Sequence, residues 1–131
     1  MGNVIEERYN NNEDVFYNKI VFGYDDKNNV VEENHYDADD LHCLSTNYKY
    51  DNNGNRIEED FHSLLNSMFD YKNEFKYDDK GNVIEEIYLN DSNSKRTIEY
   101  EFDEKGNWIK SIAYVDGEQQ NIIIREIEYF D

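Results

Sequence analysis

The sequence predicts an all-β fold: tandem antiparallel β-hairpin repeats forming a meander or curled ribbon of about ten strands, in four to five units of about 26 residues. Three observations predict it. A turn motif occurs four times, as Tyr24-Asp25-Asp26-Lys27-Asn28-Asn29, Tyr50-Asp51-Asn52-Asn53-Gly54-Asn55, Tyr77-Asp78-Asp79-Lys80-Gly81-Asn82 and Phe102-Asp103-Glu104-Lys105-Gly106-Asn107, with a truncated copy, Gly2-Asn3, at the start. The asparagines Asn3, Asn29, Asn55, Asn82 and Asn107 are spaced 26, 26, 27 and 25 residues apart. Between the turns apolar and charged residues alternate with period two, and proline is absent, as suits hydrogen-bonded strands.

The segment from Thr97 to Tyr114 shows one unit. Thr97-Ile98-Glu99-Tyr100-Glu101-Phe102 alternates as a half-buried strand does. In the turn that follows, Asp103 can accept from backbone N–H groups ahead of it, and Gly106 falls where a short hairpin loop needs a positive φ. Trp108 to Tyr114 then reads as the returning strand. By the same logic Asp51, Gly54 and Asn55, then Asp78, Gly81 and Asn82, then Asp103, Gly106 and Asn107 are structural turn residues, with Asn28 standing in for Gly in the first copy.

Outgoing strands are expected over 17–24, 46–50, 71–77, 96–102 and 122–130, ending in aromatic pairs such as Tyr48/Tyr50, Phe75/Tyr77 and Tyr100/Phe102. Returning strands are expected over 4–9, 30–36, 56–61, 83–88 and 108–114, with Ile5, Val31, Ile57, Ile84 and Ile109 at one matched position. Phe61 to Phe69 reads as a short helical turn or a wider connection with an apolar tip. The whole of 1–131 is expected to be a single repeat domain. The array starts on a returning strand and finishes on an outgoing one, so its ends are expected to close on each other or to pair between molecules as a homo-oligomer.

The motif Tyr-Asp-x-x-Gly-Asn followed by Ile and Glu resembles the tyrosine–aspartate repeat, also called the Rhs repeat, most strongly at 48–61, 75–88 and 100–114 and less so at 22–36. Members of that family build curled ribbons of β-hairpins in toxin-encapsulating shells and cell-surface adhesion proteins, and are often labelled carbohydrate-binding. The resemblance implies a scaffold and not a reaction. The chain is short beside the large shells, and encapsulation is not expected of it.

Composition narrows the partners. The formal net charge is -18, from 31 acidic and 13 basic residues. Such a chain repels nucleic acid and anionic membranes, so neither direct nucleic-acid nor membrane binding is expected. High charge is also a mark of disorder, but 12 Tyr, 7 Phe and 1 Trp, placed periodically, argue for a folded chain. No long apolar run and no charged-then-apolar leader are visible. The chain as it stands is therefore expected in the cytoplasm, or outside the cell where a leader has been removed. Cys43 is the single cysteine, so no internal disulfide forms.

Four acidic pairs, Glu6-Glu7, Glu32-Glu33, Glu58-Glu59 and Glu85-Glu86, recur at one place in successive units. Neighbouring strand residues face opposite ways, so each pair sends one carboxylate to each face, in rows about 10 Å apart. The bland reading pairs them with Lys49 and Lys76 across the strands. The functional reading is an anionic strip that attracts a basic protein surface. Calcium is disfavoured, because Lys80 and Lys105 stand where ligands are needed, and no metal or cofactor is expected. His35, His42 and His62 show no regular spacing and His42-Cys43 makes no nucleophile pair, so no enzyme is expected. Leu41, Leu44, Leu64, Leu65, Met68 and Phe69 are expected to cap the core, and exposed together they would form a hot-spot patch. The leading expectation is a non-enzymatic acidic module that docks on a basic partner protein, as an inhibitor or immunity-type protein of a nuclease, toxin or nucleic-acid-binding protein, by nucleic-acid mimicry. The alternative is a structural or carbohydrate-binding repeat segment of a larger secreted or surface protein.

Overall fold

The computed structural model of the chain describes residues 5–8, 19–89 and 93–130. Among the described residues the strands are β1 Glu6–Arg8, β2 Lys19–Tyr24, β3 Val30–Tyr36, β4 His42–Tyr50, β5 Arg56–Ser63, β6 Tyr71–Tyr77, β7 Val83–Leu89, β8 Ser94–Phe102, β9 Trp108–Val115 and β10 Glu118–Ile124, with a 3-10 turn at Ser67–Phe69. They pair antiparallel, and their order is that of the sequence. The fold is thus an all-β hairpin meander. Two compact units divide it, Met1–Asn73 and Glu74–Asp131. The expected Gly2-Asn3 turn copy, Val4, Tyr9 and the start of the 17–24 strand lie outside the described residues.

The repeated turn is a type I turn closed by a left-handed residue, the three-residue hairpin loop with a bulge. In the second copy Gly54 N–H donates to the Asp51 carbonyl and Asp51 N–H donates to the Asn55 carbonyl. The Asp51 carboxylate accepts from the N–H groups of Asn53 and Asn55, both at 2.9 Å, and from the Asn55 amide at 2.9 Å. Gly54 takes φ +87° and Asn28, at the equivalent place, +75°. The register shifts beside three of these turns, between Gly23 and Tyr24, Lys49 and Tyr50, and Glu101 and Phe102, are bulges of the kind that the left-handed residue forces.

Two turns escaped the repeat pattern. Asp37 to Leu41, joining β3 and β4, repeats the same backbone bonds and the same carboxylate caps, onto the N–H groups of Asp39 and Leu41 at 2.9 Å. Asp40, at φ +59°, occupies the glycine position. The second is the two-residue Asp116-Gly117 turn, with φ +50° and +87°, the type I′ combination that matches strand twist. It moves the last strand. The expectation of a strand over 122–130 is corrected to Glu118–Ile124, because the tight turn starts pairing early and β9, beginning at Trp108, leaves no partner beyond Arg125 N–H on the Ile109 carbonyl. Past the strand, Tyr129 instead reaches the fourth turn. The Tyr129 hydroxyl donates to Asp103 and accepts from the Asn107 amide at 2.7 Å, replacing the direct Asn–Asp bond of the other copies. Strand β4 likewise starts earlier than its expected 46–50.

Burial is thin. Among the described residues, only Cys43, Thr46, Ser111 and Ala113 are buried. Thr46 and Ala113 are small residues within β4 and β9, paired with Phe61 and Ile98 on the neighbouring strands. Most of the aromatic side chains are half-buried, and stability here rests on cross-strand pairs more than on a deep core. Phe61 stacks on Tyr71 with centroids 4.8 Å apart in one unit. Tyr100 packs between Phe102 and Trp108 at 6.1 and 6.0 Å in the other.

Candidate functional site

The acidic pairs do split between faces, and each face treats its carboxylates differently. On the face of Glu32, Glu58 and Glu85, two of the three sit in lysine clamps. Glu58 lies 2.8 Å from Lys49 and 3.1 Å from Lys72, and Glu85 lies 2.6 Å from Lys76 and 2.5 Å from Lys95. The clamping lysines hydrogen-bond both carboxyls and hold them below their ordinary range. The cross-strand pairing with Lys49 and Lys76 is thus what stands at these positions, and it removes Glu58 and Glu85 from any outward strip. Glu32, opposite Gly23 and Asn47, has no lysine across from it; it is exposed and accepts from the Asn34 amide.

The companion carboxylates Glu33, Glu59 and Glu86 lie among the rings. Tyr48 donates to Glu33 at 3.2 Å, Tyr71 to Glu59 at 2.9 Å and Tyr88 to Glu86 at 2.9 Å. Glu59 is also 3.1 Å from Arg56 and Glu86 is 2.7 Å from Arg96. Burial, then the adjoining carboxylates, pushes the Tyr48 and Tyr71 hydroxyls up to about 12. Each of these carboxylates is thus held in structural contacts within its own unit. Glu6 pairs with Arg8 at 2.7 Å on β1, beside Glu7.

The cations are almost all consumed inside the chain. Arg8, Lys19, Lys49, Arg56, Lys72, Lys76, Lys95, Arg96 and Lys110 each lie within salt-bridge distance of a carboxylate. Lys80 sits over Phe102 at 3.7 Å, Lys105 over Tyr129 at 3.6 Å and Arg125 over Trp108 at 3.9 Å. The surplus acid collects at hairpin tips and at the chain end. Asp26, Asp39, Asp79, Glu104, Glu118, Glu126 and Glu128 are exposed. The turn aspartates Asp25 and Asp51 are held below the usual carboxylate range chiefly by the side-chain bonds from Asn29 and Asn55. At Asp103 the Tyr129 hydroxyl does this. At Asp78 burial pulls upward, but the bonds from Asn82 and Lys80 outweigh it. In the first unit a shallow groove of about 500 Å³ runs between two such tips, lined by Asp25, Asn29, Asp51, Tyr48, Tyr50 and Ile57 among others.

The apolar cluster does not cap a core. Leu41, Leu64, Leu65, Met68 and Phe69 are 63%, 57%, 61%, 85% and 66% exposed, which corrects the expectation that they cap the core. The loop that carries Leu64, Leu65, Met68 and Phe69, between β5 and β6, is tied inward by its polar atoms. Leu64 N–H donates to the Cys43 carbonyl at 2.9 Å and Ser63 N–H to the Asp70 carboxylate at 2.8 Å. Asn66 N–H donates to the Ser63 hydroxyl at 3.2 Å, and the Asn66 side chain accepts from Met68 N–H at 3.0 Å, capping the 3-10 turn. Beside it opens a cleft of about 640 Å³, walled by Leu44, Phe61, Leu65, Phe69 and Tyr71, with Ser63 and Asn66 at its lip. The sequence marked these residues by type; their exposure depends on the loop's backbone path, which no spacing rule encodes.

No group of three or more His, Cys, Asp or Glu is placed to hold a metal ion among the described residues. No helix among them is long and apolar enough to cross a membrane. What the fold and surface define is an all-β hairpin meander with a cation-poor surface and an exposed apolar loop. A family model described as "Uncharacterised protein" matches residues 43–130, and the chain belongs to that family. No curated protein matches it.

Proposed function

We propose that the chain is a non-enzymatic binding module that docks on a basic surface of a partner protein. Its natural targets are a nuclease, a toxin or a nucleic-acid-binding protein, which it would inhibit by offering carboxylates where that partner receives phosphates. One observation carries the reading. Every lysine and arginine other than Lys27 is held against a carboxylate or a ring of its own chain, while hairpin-tip acids point outward. A basic partner would meet little competing positive charge. Steering by the field of a chain at -18 would make association fast and strongly salt-dependent. Within each unit the docking acids are the outward ones, Asp26 with Glu32 in the first and Asp79 with Glu104 in the second, and not Glu58 or Glu85.

The test is capture by the tagged chain from a pool of basic nucleases and nucleic-acid-binding proteins, at about 0.05 M and 0.5 M salt, with and without duplex DNA as competitor. Retention at low salt, release at high salt and displacement by DNA are expected. Capture indifferent to both salt and DNA would sink the reading.

The groove between the first two tips favours a second reading. Rings of Tyr48 and Tyr50 beside the turn carboxylates suit a sugar, as expected of a tyrosine–aspartate-type structural or carbohydrate-binding segment of a larger secreted or surface protein. Salt-insensitive signals on a glycan array, lost in Tyr50→Ala, would decide for it.

A further inference from the structure

We infer that the loop between β5 and β6, with the cleft beside it, is the anchoring hot spot for a partner segment that carries apolar side chains flanked by lysine or arginine. The inference rests on the acidic-docking reading and names the contact that would turn electrostatic attraction into a specific complex.

Three features of this corner bear on it. The loop is preorganised: bonds from Ser63, Leu64, Asn66 and Met68 N–H groups fix its backbone, so Leu64, Leu65, Met68 and Phe69 are displayed at little ordering cost on binding. The cleft is open and large enough to receive one or two side chains, with walls from Leu44, Phe61 and Tyr71. Acidic residues border the loop along the chain. Asp70 directly follows Phe69 and, with Asp60, lies beside His62, at 3.3 and 3.2 Å, and the Asp37–Asp40 turn leads directly into exposed Leu41. Apolar anchors with charged neighbours suit a protein interface, in which a few central anchors carry most of the affinity. Charge complementarity selects the occupant. A second copy of this chain would bring the same acidic neighbours and the same net charge of -18, whereas a segment alternating apolar and basic residues complements both.

The probe is a short fluorescent peptide alternating Lys with Leu and Phe, titrated into the full chain at about 0.15 M salt. One control replaces its Leu and Phe by Ser, and another replaces its Lys by Gln. The Lys–Leu/Phe peptide is expected to bind at least about tenfold more tightly than either control. Leu65→Ser combined with Met68→Ser should bring it down to the level of the Lys–Ser peptide. Both residues are exposed, so the fold should survive, as circular dichroism would show. Ile124→Ser, an equally exposed apolar site elsewhere, should change nothing. Equal, salt-sensitive binding of the Lys–Ser and Lys–Leu/Phe peptides overturns the hot spot and leaves acidic docking standing. Failure of both lysine peptides to bind overturns the acidic reading itself. Salt-insensitive binding of the Gln–Leu/Phe peptide at full strength marks a general apolar site and overturns the proposal. Dimerisation lost in Leu65→Ser would assign the patch to a second copy, against it.

Discussion

Gly54 offers a clean measure of what the repeated turn requires. It sits at φ +87°, and a Cβ built there would meet nothing within 4 Å. Any loss of stability on substitution therefore comes from the backbone and not from a clash. An L-residue pays about 1–2 kcal/mol in the left-handed region. Alanine recovers about 0.4–1 kcal/mol by stiffening the unfolded chain. Gly54→Ala should thus cost roughly 0.5–1.5 kcal/mol. Gly54→Val, β-branched, should cost about 2 kcal/mol or more. Gly54→Asn should be mild, because Asn28 already adopts φ +75° at the matching place. Urea unfolding at fixed pH reads all three. With a slope of about 1–3 kcal/mol per molar, a loss of about 1 kcal/mol lowers the midpoint by roughly 0.3–1 M. Should Gly54→Val unfold at the wild-type midpoint, or Gly54→Asn fall as far as Gly54→Val, the turn would not depend on left-handed geometry.

Other outcomes follow from the same contacts. The carboxyls of Asp25, Asp51 and Asp103 titrate lower in the folded chain than the ordinary 3.8, so the stability they confer is full above that value and is lost as pH falls through their folded range. Midpoints measured from pH 6 down to about pH 2.5 should drop below about pH 4, and replacing Asp51 and Asp103 with Asn should shrink the drop; an unchanged profile would refute the capping role. Glu85→Lys would set a third ammonium between Lys76 and Lys95 and should lower the thermal midpoint, whereas Glu32→Lys should be tolerated; equal tolerance would mean that the clamp contributes nothing. Strand β10 ends the strand order with Ile122, Ile123 and Ile124 at 48%, 48% and 73% exposure, and an open edge of this kind is expected to pair between molecules. Light scattering should then show association that grows as salt screens the net charge and that vanishes in Ile123→Lys; a monomer under all conditions would remove this edge from consideration.

The strands were legible because Asp-x-x-Gly-Asn encodes its own backbone geometry, and a period near 26 residues locates each copy. Where the side-chain signature fades but the backbone roles persist, sequence reading falters. Asp37 to Leu41 closes as the others do, yet Leu41 supplies only its N–H and C=O where the copies show Asn, so nothing in its type betrays the role. Asp116-Gly117 is a strong local signal that lies off the repeat period, and reading by period alone displaced β10. The acidic pairs show a different limit. Their alternation between faces follows from strand geometry, but whether a carboxylate is spent depends on what the next strand brings opposite it. Lys95 and Lys72 reach Glu85 and Glu58 through register, which residue spacing in one strand does not reveal.

Cys43, the chain's one thiol, is 1% exposed beneath the corner where Leu64 N–H holds its carbonyl, and its Sγ donates to the Leu41 carbonyl at 3.1 Å. A thiol reagent can reach it only when that corner swings away from β4. The rate at which a disulfide reagent labels the native chain is therefore a clock for the local opening of the apolar loop, with no second cysteine to blur the reading. A partner that clasps the loop should stop this clock in proportion to its occupancy, and denaturant too dilute to unfold the strands should already quicken it.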